Sequence, residues 1–440
     1  LEINGAIMKK KVIIRGPLLT RSGYGEHARF VLRALLSQEE KYDIYISPVN
    51  WGKTGWIFED TEERRYIDSI TQKTAMYHQE CKQKNIPAQY DISFQVTIPN
   101  EWERIASINI GVTAGIETTK ISLDWIQKSE LMDKIIVVSE HAKKSFLDTT
   151  YDVVNQETGQ SIKDYRCRTS IDVVHYPTKT FKKVNLGLDL KTKFNFLCVA
   201  QWGPRKNMET LINSFVNEFS DNEEVGLVIK SNIVKNNVLD RRALTDGIKT
   251  ILSQYPDKKC KVYLLHGDMT DEEIHSLYAH PDIKAYVTTT HGEGFGLPIF
   301  EAAYSGMPVI APDWSGHVDF LYKPSKVKNK TKDKAHFAKI DYTLKPVQKT
   351  SVWNGVIVAD SMWCYVDENS TRNKMRDVFK DYGRFKKQAT QLKKWVLENF
   401  NEKDLHKKFN DSVDSMFLAD EVTYMNSLQG QVNEPEYMVL

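Results

Sequence analysis

THGEGFGLPIFEAAYSGMPVIAPDWSGHVDFL, residues 290–321, carries a strand end, a glycine loop, a helix and a second strand in one run. Gly292, Gly294 and Gly296 fall between the apolar strand IKAYVTT (283–289) and a helix with Pro298 at its opening, where a missing N–H goes unneeded. Glycines at such a junction let backbone amides approach a ligand closely. Strand, loop and helix in this order form the unit of a doubly wound parallel sheet, whose ligands sit beyond the carboxyl ends of the strands.

Working outward, the unit repeats. NFLCVA, VGLVIKS, KVYLLHG and PVIAP read as further strands of the same half, and METLINSFVNEF as an amphipathic helix with Asn207 available as its N-cap. Nearer the N-terminus an independent cycle begins. VII after Lys11 leads through RGPLLTRSGYG into the helix EHARFVLRALL; the strands YDIYIS, YDISFQVT, ASINIGV and KIIVVS follow, with helices at SLDWIQKSELM and EHAKKSFLD. Alternation of this kind predicts parallel sheets with helices on both faces. The two α/β halves join near residues 180–190, and the cleft between them is the expected ligand site. After Asp360 the pattern turns mainly helical, and RFKKQATQLKKWVLENF reads as a long basic helix closing the domain.

The composition agrees with two soluble domains. The chain has 440 residues, 41% hydrophobic and 27% charged, with 60 basic against 58 acidic side chains, which excludes intrinsic disorder. The net charge of +2 hides an acidic tail, since Asp411, Asp414, Asp420, Glu421, Glu434 and Glu436 have no basic counterpart after residue 410. The five cysteines are widely spaced without a CxxC pair, so a reducing, cytoplasmic compartment is expected. No apolar run approaches the ~18–20 residues of a membrane helix. LEINGAI, ahead of Met8, reads as a remnant of expression before a natural start. KPSKVKNKTKDK, with lysines 323, 326, 328, 330, 332 and 334 against Asp333, reads as a solvated, mobile surface loop, with a polyanion contact as the alternative. The residues after Leu418 read as a loosely held tail.

Two clusters carry chemistry. Glu293 in the glycine loop and Glu301 in the helix can accept hydrogen bonds from the hydroxyls of a sugar or ribose, while helix-start amides accommodate negative charge. Taken singly, Glu301 could instead serve only its own helix, and the glycines a tight turn. In QWGPRKN, Arg205 and Lys206 sit at a strand-to-helix loop, where a guanidinium and an ammonium suit a diphosphate. Gly23 and Gly25 of SGYG form a further glycine loop, equally readable as a turn. Glu117 in GVTAGIETT, His141 in SEHAKK and His317 in SGHVDF are cleft-side candidates, each with a structural alternative. No Asp-x-Asp occurs, so no metal is expected and the cationic loop takes its place. A P-loop, a paired-histidine zinc motif and a clean GxGxxG are also missing.

The glutamate pair around GFGLP, followed by EA, a small residue, G and PV, resembles the donor-site signature of family-four (group 1) retaining glycosyltransferases. The resemblance implies an α/β GT-B fold, with two Rossmann-like domains facing across a cleft and C-terminal helices closing the structure. The expected boundaries are 8–185 for the acceptor-side domain, 186–385 for the donor domain, 386–418 for closing helices and 419–440 for the acidic tail. It also implies that Glu293 with the Gly294, Phe295, Gly296 and Leu297 segment holds the transferred sugar, that Glu301 binds the ribose, and that Lys206 and Arg205 bind the diphosphate. Gln201 stands where many members carry another arginine, and His317 replaces a usual second glycine. Gly23 and Gly25 would approach the donor phosphates, and Glu117 and His141 the acceptor. The expected donor is a nucleotide diphosphate sugar. RGPLLTRSGYGEHAR, NWGKTGW, TIPNEW and GVTAGIETT bear a looser resemblance to bacteriophage-encoded members, which suggests a hydroxymethylated base in DNA as acceptor and the host cytoplasm as location. A glycan or small-molecule acceptor, or a non-catalytic nucleotide- or nucleic-acid-binding module, are the alternatives.

Overall fold

The computed structural model describes residues 9–51, 54–154, 159–327 and 330–432. LEINGAI, Met8 and the last residues of the acidic tail lie outside them. The first half runs β1 (Lys10–Gly16), α1 (Gly23–Leu36), β2 (Tyr42–Pro48), α2 (Glu62–Gln83), β3 (Ile92–Val96), β4 (Ile108–Thr113), α3 (Leu123–Ser129), β5 (Lys134–Val137), α4 (Glu140–Asp148), β6 (Tyr151–Val154), β7 (Ser161–Tyr165) and β8 (Ile171–Val173). Its six-stranded sheet has the order β2-β1-β3-β4-β5-β8 with every pair parallel. Central strands such as Ile92–Val96 are buried throughout, which is why they read as unbroken apolar runs.

The second half runs β9 (Phe194–Val199), α5 (Met208–Phe219), β10 (Val225–Lys230), α6 (Val238–Leu252), β11 (Lys261–Leu265), α7 (Asp271–Tyr278), β12 (Ile283–Val287), α8 (Leu297–Ser305), β13 (Val309–Pro312), α9 (Val318–Leu321), β14 (Tyr322–Val327), β15 (Lys330–Ala335), β16 (Ala338–Ile340), β17 (Tyr342–Pro346), β18 (Met362–Val366), α10 (Glu368–Lys380), α11 (Tyr382–Asn399) and α12 (Glu402–Val432). Its sheet has the parallel order β11-β10-β9-β12-β13-β16. The order reverses between β9 and β12, and the loops that leave these two neighbours open a crevice at the switch point. Those loops are residues 200–207 and 288–296, the two segments singled out for their chemistry.

Four sequence expectations change. The lysine-rich segment is not a loop: β14 and β15 form an antiparallel ribbon, because a two-stranded ribbon with solvated strands needs no apolar alternation. The chain after Leu418 continues as helix to Val432. α12 leaves the donor half and packs on α1 of the first half, where the Asn410 amide donates to Ala34 O at 2.9 Å and Phe409 meets Phe30 edge-on. The boundary expected at residue 386 falls inside α11. Asn207 precedes α5 but makes no side-chain cap; its φ is +52° and its amide donates instead to Thr289 O, tying the β9 loop to the β12 loop.

Candidate functional site

At the switch point Lys206 Nζ lies 2.5 Å from Glu293 Oε1, and Arg205 Nη1 lies 3.1 Å from Glu293 Oε2. Arg205 also donates to Gly292 O at 2.7 Å, and its other terminal nitrogen lies 3.2 Å from Glu117 Oε1. Glu117 comes from the loop after β4, so one guanidinium bridges the two halves. The Glu293 side chain is only 10% exposed. Burial alone would raise its pKa, yet the Lys206 ammonium and the Arg205 guanidinium outweigh burial and hold it at about 2. Burial and the neighbouring Arg205 draw Lys206 down, against the pull of Glu293. Two cations and two carboxylates are thus gathered at the mouth of the crevice, mutually neutralised.

The glycine loop is packed against the other half. A Cβ on Gly292 would stand 2.2 Å from Glu117 O, and one on Gly294 would stand 2.5 Å from Ala114 O. Gly296 adopts φ +91° at the start of α8, a left-handed conformation that favours glycine. The loop is fastened by Ser139 Oγ, which donates to Gly294 O at 2.6 Å, and by Glu293 N–H, which donates to Ser315 Oγ at 2.9 Å. Phe295 turns its ring away from the crevice into the core beside Tyr176, Phe300 and Phe320, so only its backbone faces the loop. Leu297 opens α8.

The histidines fall into different settings. His317 is fully buried, and its Nε2 lies 2.8 Å from Pro312 O; it holds the Ser315–His317 turn against Gly296. His141 stands edge-on to Trp314 at 4.9 Å between ring centres, and its Nε2 has no hydrogen-bond partner among the described residues. Burial lowers its pKa to about 4, so the ring is neutral near pH 7.

Glu301 forms a second centre. Tyr278 OH donates to its Oε2 at 2.9 Å, and burial raises its pKa to about 7 despite that bond and the nearby Lys179. Lys179 lies 2.7 Å from Glu26 on the first turn of α1, so Glu301 faces the SGYG segment across the crevice. Ser22 caps α1 by accepting from Gly25 N–H at 2.9 Å. A Cβ on Gly25 would collide with Thr20 O at 2.1 Å, whereas Gly23 has open space beside it. The Gln201 side-chain amide donates to Ile233 O at 2.7 Å.

Sequence reading missed Asp319, Lys179 and Tyr278. Asp319 accepts from Glu140 N–H at 2.8 Å and pairs with His175 at 3.0 Å, so a donor-half carboxylate satisfies the start of α4. Lys179 lies in the element-free linker, and Tyr278 at the end of α7. An isolated lysine or tyrosine carries no motif, so no local signal marked them.

Residues 180–344 match the Glycosyl transferases group 1 family, less than half of the chain. The solved structure of Anabaena Alr3699/HepE in complex with UDP and glucose superposes over 92% of this chain and all of its own, with a TM-score of 0.55 at 12% identity. Sucrose-phosphate synthase from Thermosynechococcus elongatus gives 0.56 over 93% of this chain and 100% of its own, also at 12% identity. The fold is GT-B. Within the GT-B frame the matched residues form a glycosyltransferase group 1 domain that contains Arg205, Lys206, Glu293 and Glu301. The serotype-specific mannosyltransferase WbdA of Escherichia coli is 29% identical over 119 residues, 27% of this chain and 13% of WbdA. A longer alignment with a WbdA is 24% identical over 212 residues, 44% of this chain and 24% of the relative. The chain thus aligns with at most about a quarter of these curated relatives' length. No helix among the described residues is long and apolar enough to cross a membrane.

Proposed function

We propose that the protein is a retaining glycosyltransferase of family-four type, moving a sugar from a nucleotide diphosphate sugar to an acceptor hydroxyl. The observation that carries this reading is the Arg205, Lys206 and Glu293 cluster at the switch point of a group 1 domain. A diphosphate leaving group gains negative charge as the glycosidic bond breaks, and two fixed cations stabilise that charge more in the transition state than before it. In this reading they do so without a metal. Glu293, with its pKa held at about 2, is a poor base; it accepts hydrogen bonds from the sugar hydroxyls and orients the ring. The bond from the anomeric carbon to the phosphate oxygen breaks as the acceptor oxygen bonds on the same face. The acceptor proton passes to the departing diphosphate oxygen.

The remaining residues find roles in the same scheme. The backbone of Gly294, Phe295, Gly296 and Leu297 borders the sugar, and the Gly23 and Gly25 segment at the start of α1 approaches the donor phosphates. An incoming diphosphate competes with Glu117 for Arg205, leaving Glu117 to accept a hydrogen bond from the acceptor hydroxyl, with neutral His141 on the same side. Glu301 holds the ribose. Because a carboxylate accepts two ribose hydroxyl hydrogens better than a carboxylic acid, donor KM is expected to fall as pH rises through about 7. Steady-state kinetics of wild type and Glu301→Gln across this range check it; the variant loses that pH dependence. The linkage runs the other way for stability. The folded-state pKa lies above the ordinary 4.5, so this group's contribution is full below 4.5 and lost as pH rises through about 7.

For the acceptor we propose a hydroxymethylated base in DNA. A DNA duplex containing 5-hydroxymethylcytosine, incubated with a panel of nucleotide sugars, should gain a sugar-sized mass with one of them; no gain with any donor rejects the DNA acceptor. A glycan acceptor is the second reading, favoured by the aligned WbdA segment. A non-catalytic module is distinguished by binding without turnover.

A further inference from the structure

The register of the ribbon β14–β15 gathers four lysines on one face. Residues directly opposite each other in an antiparallel pair project to the same side, and the side alternates along each strand. The register pairs Lys323 with Lys334, Ser325 with Lys332 and Val327 with Lys330. Lys323, Lys330, Lys332 and Lys334 therefore share one face. The alternate positions, Tyr322 with Ala335, Pro324 with Asp333 and Lys326 with Thr331, belong to the other. At its foot the ribbon is anchored: Tyr322 packs edge-on to Phe337 and donates to Asp313 at 2.7 Å, while Gln388 of α11 donates to the backbone carbonyl of Ala335 at 2.8 Å.

None of the four lysines has a carboxylate within ion-pair distance among the described residues, and Asp333, the acid of the ribbon, lies on the opposite face. Lys323 and Lys334 stand directly across the ladder, an arrangement that costs stability. Burial, and then Lys323 and Lys334, lower the pKa of His336 at the ribbon's foot. Packing thus explains the anchored foot, and among the described residues the four lysines have no carboxylate partner.

Alternate residues on a strand are ~6.7 Å apart, so Lys330, Lys332 and Lys334 form a row of evenly spaced charges. A row of fixed cations suits a polyanion with regularly repeated phosphates. A two-stranded ribbon also has the width that a major groove admits. The ribbon leaves the chain directly after α9, which follows the Ser315–His317 turn that touches Glu293.

We infer that the basic face formed by Lys323, Lys330, Lys332 and Lys334 is a docking surface for the phosphate backbone of duplex DNA. This deepens the proposed function and rests on it for the acceptor. The test uses full-length wild type and the quadruple Lys→Gln variant with a fluorescein-labelled duplex, by anisotropy between about 50 and 200 mM salt. Wild type should bind, with log K falling linearly against log salt, and the variant should lose roughly 3 to 4 units of that slope, about 0.9 per phosphate contact. Release of nucleoside diphosphate from a nucleotide sugar in the absence of DNA should be unchanged in the variant. An equal salt slope in both proteins, or binding of anionic phosphatidylserine vesicles with none of DNA, overturns the inference while leaving donor turnover as a separate readout of the parent reading.

Discussion

Replacing Lys206 with alanine is expected to lower kcat and kcat/KM together by roughly 10²–10³-fold, the scale of removing one preorganised group from developing charge. Equal losses in both constants would mark an interaction made chiefly in the transition state. The fold should survive, because Glu293 keeps Arg205 at 3.1 Å as a counter-ion. Lys206→Arg should recover part of the rate, since it restores charge without the compact geometry of an ammonium. Initial-rate kinetics with circular dichroism on the same preparations check this. Near-normal turnover by the alanine variant would remove Lys206 from the chemistry.

Glu293→Gln is expected to fail in two separable ways. Lys206 and Arg205 would lie side by side in a buried site with Glu117 as the remaining carboxylate. Breaking a buried pair in this way costs about 3–5 kcal/mol, so the unliganded variant should melt well below wild type. A nucleoside diphosphate supplies the missing negative charge, so its stabilising effect should be larger in the variant than in wild type. Turnover should nonetheless stay down by at least roughly 10²-fold, because an amide does not replace the charged acceptor of sugar hydroxyls. Differential scanning fluorimetry with and without nucleoside diphosphate separates the two effects. An unchanged melting temperature would contradict the electrostatic reading of the cluster.

Much of this was legible from local sequence. The strands of both sheets that surround the site are continuous apolar runs, and the β9 and β12 loops announced themselves by glycine, cation and carboxylate. What escaped depended on contacts far apart in the chain. The Glu117 and Arg205 pair joins two halves, so no spacing rule could have found it. Phe295 sits inside the glycine motif, yet its ring serves the core. α2 buries only Ile67, Ile70, Thr74 and Cys81 over 22 residues, too sparse a stripe for periodicity to reveal. β8 and β16 have three residues each, below the length at which alternation can be read. The lysine ribbon was missed because charge density resembles a solvated loop until a register shows which side chains share a face.

Arg205 and Lys206 are expected to receive the diphosphate of a nucleotide sugar as its sugar departs. Release of nucleoside diphosphate from a panel of nucleotide sugars, measured for wild type and Lys206→Ala with and without acceptor, decides whether they do. Release from at least one donor by wild type, stimulated by acceptor and nearly abolished in the variant, is the predicted result. No release from any donor, or equal release by both proteins, would contradict it.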